Sequence, residues 1–386
     1  MAISYLPLFL SEFVETGGGS GLCIRRNIDA FDRHMFITKS IVDVSTVASD
    51  KEVLGRKYAR PFGFSAVANL SLFCRNSRRN ADLILAEIAH KENVPYILSN
   101  HSTNSIEEVT RVAPDNIWVQ LYPVTEDRVT SSLIGRAHDA GVKVLVVTVD
   151  FPIQNRSETA RRRGVSYATG ADWKRWPSIL ADLARHPRWA VNYLLAGGMP
   201  RMGSFEQYAP NGSSGVALGA YLGRIWPKNL LWGDIERIRK QWPGKLVLKG
   251  LCHPDEVVRA REAGADAVTI SNHGGNKLDC VPAAIDLLSM VRPIIGPSFP
   301  LFTDGGIRRG ADILTALALG ADFCFVGRPA LYGLAAGGST GARRVFDILS
   351  EELRYTQAMT GCLDCNSIER DAVMDSEQIR SKTKRG

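Results

Sequence analysis

Pro300-Leu301-Phe302-Thr303-Asp304-Gly305-Gly306-Ile307-Arg308-Arg309-Gly310 is a short apolar run that ends abruptly in an acid, two glycines and two arginines. The run has the make-up of a buried strand. In the loop after it, glycines let an anion approach backbone N–H groups and arginines supply bidentate charge. A second strand end of this kind follows, where the apolar run Asp322 to Val326 stops at Gly327-Arg328. In a closed (β/α)8 barrel the usual phosphate site lies in the loops after strands seven and eight, so the pair predicts a phosphorylated cofactor or substrate there. The alternative, glycines serving only tight turns and solvated arginines, requires the two sites to coincide by chance.

Upstream, Pro61 to Ala66, Pro95 to Ser99, Ile117 to Leu121, Lys143 to Val149, Lys245 to Lys249 and Asp266 to Ile270 are apolar and rich in β-branched residues, with amphipathic helical segments between them. Eight strands alternating with helices predict an α/β fold, a (β/α)8 TIM barrel. A chain of 386 residues accommodates one large barrel or two ordinary domains. The strand count favours a single domain spanning residues 1–386. Residues 155–232, between strands four and five, form an insertion far longer than an ordinary βα loop and are expected to act as a lid. Within it, Trp173-Lys174-Arg175-Trp176-Pro177 through Trp189 interleaves tryptophans with basic residues. That pattern suits a lid helix packing its aromatics on the barrel or a peripheral contact with a membrane surface.

A hydrophobic content of 45% and a charged content of 23% describe an ordinary globular chain and exclude disorder. The net charge of +7 is scattered along the sequence, and with no recognised binding motif it predicts a mildly basic surface rather than a nucleic-acid partner. Seven cysteines, spread from Cys23 to Cys365, do not suggest a disulfide framework. Cys362-Leu363-Asp364-Cys365 has no second Cys or His pair at metal-ligand spacing, so these cysteines are expected to be structural and no metal is predicted. The start, Met1 to Pro7, lacks a signal-peptide pattern, and no stretch is long enough to span a bilayer. The expected location is cytoplasmic, at most peripheral to the inner face of the membrane.

Chemistry belongs at the C-terminal strand ends. Strand six ends in Ser271-Asn272-His273-Gly274-Gly275-Asn276-Lys277-Leu278-Asp279, strand five in Lys249-Gly250 and strand four at Asp150. A histidine beside glycines at such an end is a candidate general base, and Asp150 could hold its imidazolium by an ion pair. The residues alone leave open a capped loop histidine and an aspartate serving as a helix N-cap.

These motifs resemble those of the FMN-dependent 2-hydroxy-acid oxidases and dehydrogenases. The resemblance runs from Asn27-Ile28-Asp29-Ala30-Phe31 and Val42-Asp43-Val44-Ser45, through Gln120-Leu121-Tyr122 and Ser271 to Gly275, to Leu331-Tyr332-Gly333. It implies that FMN is the cofactor, with Ser99, Gln120, Thr148 and Lys249 at the flavin ring and the Ala66, Val67 and Ala68 backbone beneath it. Lys249 would stand near N1 and O2, where a cation stabilises reduced flavin. Ser271 would hold the ribityl chain, and Asp304, Gly306, Arg308, Gly327 and Arg328 the ribityl end and phosphate. His273, paired with Asp150, would be the base as the substrate's α-hydrogen passes to the flavin, and Tyr122 would bond the substrate oxygen. The resemblance also implies a homotetramer. O2, a quinone or a redox partner protein remain open as electron acceptor.

The departures from the family pattern lie on the substrate side. Asn276 stands where the family has an arginine that clamps the substrate carboxylate, with Lys277 next to it as a point charge rather than a fork. Ser157 falls at the second arginine, Phe13 at an active-site tyrosine, and His101 where an aromatic often follows the serine that ends the strand Pro95 to Ser99. Loss of both forks predicts a larger or carboxylate-masked small-molecule substrate, an ester, amide, carrier-bound or natural-product alcohol or amine of specialised metabolism. The alternatives are an ordinary 2-hydroxy acid, held by Lys277, Arg156 or Arg161-Arg162-Arg163, and a flavin-binding protein without redox turnover.

Overall fold

The eight apolar runs form eight parallel strands: β1 (Phe62–Phe64), β2 (Tyr96–Leu98), β3 (Ile117–Leu121), β4 (Val144–Thr148), β5 (Lys245–Leu251), β6 (Ala267–Ile270), β7 (Leu301–Asp304) and β8 (Phe323–Val326). The computed structural model describes residues 2–74, 80–153, 165–166, 170–171, 176–198, 200–209, 215–226 and 228–376. The strands close into a barrel in chain order, β8 pairing back onto β1 through Cys324 and Phe62, Phe325 and Gly63, and Val326 and Phe64. β7 takes in Asp304, and β5 runs on to Leu251 past an irregularity at Gly250. The outer helices are α1 (Ala81–Lys91), α2 (Ile106–Val112), α3 (Asp127–Asp139), α4 (Trp232–Gln241), α5 (Pro254–Glu262), α6 (Ala284–Ile295), α7 (Gly310–Ala318) and α8 (Arg328–Thr360).

Alternation along the strands builds the site. Side chains point alternately in and out, so every second residue faces the barrel interior. The lower inward positions, Ile97, Trp118, Val144, Val146, Val247, Ala267, Phe302, Phe323 and Phe325, form one buried apolar cluster, joined by Val53 and Tyr58 of the hairpin Lys51–Val53 and Arg56–Tyr58. The Trp118 indole N–H donates to the Tyr58 hydroxyl at 3.0 Å. Burying each such large side chain contributes about 1.5–3 kcal/mol. Two residues further along six of the eight strands the inward position turns polar: Ser99 after Ile97, Gln120 after Trp118, Thr148 after Val146, Lys249 after Val247, Asp304 after Phe302, and Thr269 then Ser271 after Ala267. An apolar layer therefore supports a polar layer at the C-terminal mouth.

The N-terminal segment crosses this mouth. The helices Leu8–Thr16 and Leu22–Asp29 flank Gly17-Gly18-Gly19, and the Gly18 N–H donates to the Gly275 carbonyl at 3.0 Å. Asp279 accepts from the N–H of Ser20 at 2.6 Å and of Cys23 at 3.2 Å. The insertion contributes the helices Trp176–Arg185, Pro187–Leu195 and Gly215–Ile225. Trp189 is buried and donates to the Leu72 carbonyl at 2.8 Å, whereas Trp176 is exposed, so the tryptophans divide between barrel and solvent. Trp173, Lys174 and Arg175 lie outside the described residues. No disulfide joins the seven cysteines. Among the described residues, no helix is long and apolar enough to cross a membrane.

Candidate active site

His273 follows β6 in a tight turn where three successive residues are left-handed: His273 at φ 58°, Gly274 at 61° and Gly275 at 81°. A non-glycine residue is strained there, so the turn needs outside support. Asn272 and Asn27 supply it by exchanging side-chain hydrogen bonds of 2.7 and 2.9 Å. The Asn272 side chain also accepts from the Gly275 N–H at 3.2 Å and donates to the Pro282 carbonyl at 2.9 Å. The sequence placed Asn27 in a motif but gave it no role.

So held, the His273 ring meets Asp150 at Nδ1, with both carboxylate oxygens at 3.0 Å, and the Tyr122 hydroxyl at Nε2, at 3.2 Å. A carboxylate facing Nδ1 fixes the proton there and leaves the Nε2 lone pair able to accept one. Burial lowers the His273 pKa below its ordinary value against the opposing pull of Asp150. Burial alone would raise Asp150, but His273, Lys249 and Lys277 outweigh it and keep the carboxyl below the usual range. Gly250 makes room for this carboxylate: at φ 106°, a Cβ there would lie 2.5 Å from the Asp150 carboxyl carbon.

Below the histidine, Lys249 Nζ lies 2.6 Å from an Asp304 oxygen and donates to Ser271 Oγ at 2.8 Å. Ser271 in turn donates to Asp304 at 2.5 Å and accepts from the His273 N–H at 3.1 Å. Ser99 Oγ accepts from the His101 N–H at 3.2 Å. Ala66, Val67 and Ala68 follow β1, with Ala66 against the inner apolar cluster. Gln120 Nε2 and Thr148 Oγ1 are buried without a hydrogen-bond partner among the described residues. Each such orphan costs about 1–3 kcal/mol, so the mouth is built for an occupant carrying polar edges.

Arg308 and Arg328 converge nearby. Arg328 donates to the carbonyls of Val14 (2.9 Å) and Gly274 (2.6 Å) and to Asn276 Oδ1 (3.2 Å). Burial, then the charge of Arg308, pushes its pKa down to about 10, and burial lowers Arg308 as well. Two guanidiniums that destabilise one another at the start of α8, whose Gly327 cap offers no side chain, form a strong anion site. Gly306 has a second reason to be glycine, because a Cβ there would fall 2.0 Å from the Asn27 carbonyl oxygen.

The side of the mouth around Tyr122 and Phe151 is aromatic. Phe151 stacks on Trp226 at 4.4 Å, and Trp226 also meets His101 (5.0 Å) and Tyr122 (5.2 Å). His101 lies flat against Phe205 at 5.4 Å, and burial, then Lys277, lowers its pKa to about 4, so it is neutral. Trp226 comes from the end of the insertion and Phe151 from just after Asp150; no motif marked either. Lys277 Nζ stands 3.1 Å from the centre of the Phe151 ring. Asn276, expected in the substrate pocket, directs its carbonyl oxygen at Arg328. Phe13 is 43% exposed on its helix. Ser157, Arg156 and Arg161 to Arg163 lie outside the described residues.

The sequence profile of the FMN-dependent dehydrogenases matches residues 2–375. The chain belongs to that family. It is 32% identical to the (S)-mandelate dehydrogenase of Pseudomonas putida, over 95% of this chain and 90% of that one. It is 30% identical to an L-lactate dehydrogenase of Vibrio cholerae, over 96% and 95%. A crystal structure of the monotopic membrane protein (S)-mandelate dehydrogenase superposes with a TM-score of 0.88 at 31% identity, covering 96% of each chain. Mandelate oxidase with (S)-4-hydroxymandelic acid gives 0.80 at 29% identity, covering 96% and 95%. This chain is therefore an FMN-dependent dehydrogenase acting on CH–OH donors. FMN suits the residues present: among the described residues Gln120 and Thr148 hold orphaned polar atoms that a flavin edge would satisfy, and the buried Arg308 and Arg328 would take its phosphate.

Proposed function

We propose that this enzyme oxidises the hydroxyl-bearing carbon of a 2-hydroxy acid with an aromatic side chain, His273 acting as base. The observation that carries the reading is the His273 ring, held at Nδ1 by both Asp150 oxygens at 3.0 Å and free of carboxylate at Nε2, beside Tyr122 and the Phe151–Trp226 stack. Bound FMN supplies the electron-pair acceptor for the substrate's α-hydrogen. His273 Nε2 takes the hydroxyl proton, and Asp150 stabilises the imidazolium that results. Tyr122 orients the substrate oxygen. Lys249, anchored by Asp304 and Ser271, holds a cation where negative charge develops. Trp226, Phe151 and His101 exclude water and receive the substrate's ring. The test is anaerobic mixing of the holoenzyme with (S)-mandelate and other CH–OH donors while the flavin absorbance is followed. His273→Asn should abolish bleaching with FMN retained. If no donor bleaches the wild type, a flavin-binding protein without turnover becomes the better description.

A second reading, a carboxylate-masked substrate of specialised metabolism, draws on Asn276 facing Arg328 rather than the histidine. Methyl mandelate reduced faster than mandelate would favour it.

The insertion supports peripheral membrane attachment. Trp176, Leu180, Val191, Leu194 and Leu195 are exposed on two successive amphipathic helices, and the structurally similar (S)-mandelate dehydrogenase is described as monotopic. Co-sedimentation with anionic vesicles should fall when Leu194 and Leu195 are replaced by Ser; unchanged sedimentation rejects this attachment.

A further inference from the structure

We infer that Lys277 grips the substrate's carboxylate with a single ammonium group; this rests on the proposed oxidation of a 2-hydroxy acid and names the group that recognises it. Lys277 lies four residues after the base, and its Nζ stands 3.1 Å from the centre of the Phe151 ring, itself 4.4 Å from Trp226 and 6.4 Å from His273. The cation is thus on the aromatic side of the histidine, beside the rings proposed to receive the acid. Asn276, at the position of the lost arginine, is engaged by Arg328. The lysine's backbone is seated from outside, because a Cβ on Gly18 would come within 2.4 Å of its carbonyl carbon and oxygen. Among the described residues, once His273 has taken a proton its charge and that of Lys277 together exceed that of Asp150, and a substrate carboxylate offsets the difference.

The choice of lysine has a consequence that an arginine fork would not have. Burial lowers the Lys277 pKa to about 7, with Asp150 opposing the shift. The charged and titratable groups coupled to it are Asp150, His273, Lys249 and His101, with Tyr122 beside Phe151 and His273. Asp150 and His273 lie below their ordinary values, His101 is lowered to about 4 and Tyr122 is raised well above 10, while Lys249 is paired with Asp304. Lys277 is therefore a group whose charge changes near neutrality. It carries charge below its pKa, so carboxylate affinity is full on the acid side and declines as pH rises.

The test uses the FMN-loaded enzyme, benzoate and methyl benzoate, with flavin absorbance perturbation reporting binding without turnover. Wild type should bind benzoate more tightly than the ester, and its benzoate Kd should rise between pH 6.5 and 8.5. Lys277→Gln should weaken benzoate roughly 10- to 150-fold and the ester less than threefold. Lys277→Arg should keep the preference for the acid and flatten the pH dependence, a readout that a purely structural role would not move. Equal weakening of both ligands, no preference in the wild type, or a Lys277→Arg profile matching wild type overturns the assignment. Failure of the oxidation itself is seen separately, as absence of flavin bleaching by any CH–OH donor.

Discussion

Replacing Asp150 by Asn tests whether the carboxylate tunes the base or only positions it. In the structure both carboxylate oxygens stand 3.0 Å from Nδ1, and the two side chains are only 21% and 13% exposed. With charge centres about 4 Å apart and an effective dielectric constant near 20, the imidazolium loses about 4 kcal/mol of attraction; residual solvent screening trims this to roughly half. A loss of about 2–4 kcal/mol in the transition state corresponds to a rate about 30- to 1000-fold lower. The assay is anaerobic stopped-flow bleaching of the flavin from pH 5 to 9. The base works when neutral, so the acid limb reports His273. Asp150 opposes the burial that lowers the His273 pKa, so its removal moves the limb to still lower pH while the plateau drops. A plateau within threefold of wild type, or a limb displaced to higher pH, refutes the reasoning.

Gly250→Ala should imitate that variant from outside the charge network, since a Cβ there falls 2.5 Å from the Asp150 carboxyl carbon; bleaching should slow at least tenfold with FMN content unchanged in the absorbance spectrum. Arg328→Met should weaken FMN roughly 10- to 150-fold in equilibrium dialysis, through loss of a charge-assisted partner to the phosphate. Trp226→Ala removes ring contacts at 4.4, 5.0 and 5.2 Å and should lower the preference for (S)-mandelate over lactate by about tenfold, read from the ratio of kcat/KM values.

The barrel was legible because each strand is an apolar run closed by glycine or a polar residue, whereas Ser99, Gln120, Thr148, Lys249 and Asp304 were placed at the cofactor only through the family resemblance, and their common layer two residues beyond the apolar one emerges from the structure. His273 and Asp150 were legible as strand ends. Their pairing was only one of two options until the Nδ1 geometry resolved it. Asn276 and Lys277 show where reading by position fails: adjacent loop residues point in different directions, and the left-handed turn at His273 to Gly275 sends Lys277 to Phe151 and Asn276 to Arg328. Trp226 was hidden for another reason. It reaches the site from the far end of a long insertion, and no local pattern encodes which of seven tryptophans will do so. Likewise, Gly17-Gly18-Gly19 looks like a flexible linker, yet a Cβ at Gly18 or Gly19 would collide with the loop from Lys277 to Asp279.

The reciprocal pair Asn27–Asn272 sets a condition on biogenesis. The bonds that stabilise the histidine turn join residues 245 positions apart. During synthesis the N-terminal helices emerge early but have no counterpart until the sixth strand and the loop after it have left the ribosome. Such long-range closure is slow relative to local helix formation. A chain whose sixth strand has formed therefore still lacks a held histidine turn, and the capacity to turn over substrate is acquired only when the two distant parts of the chain interlock.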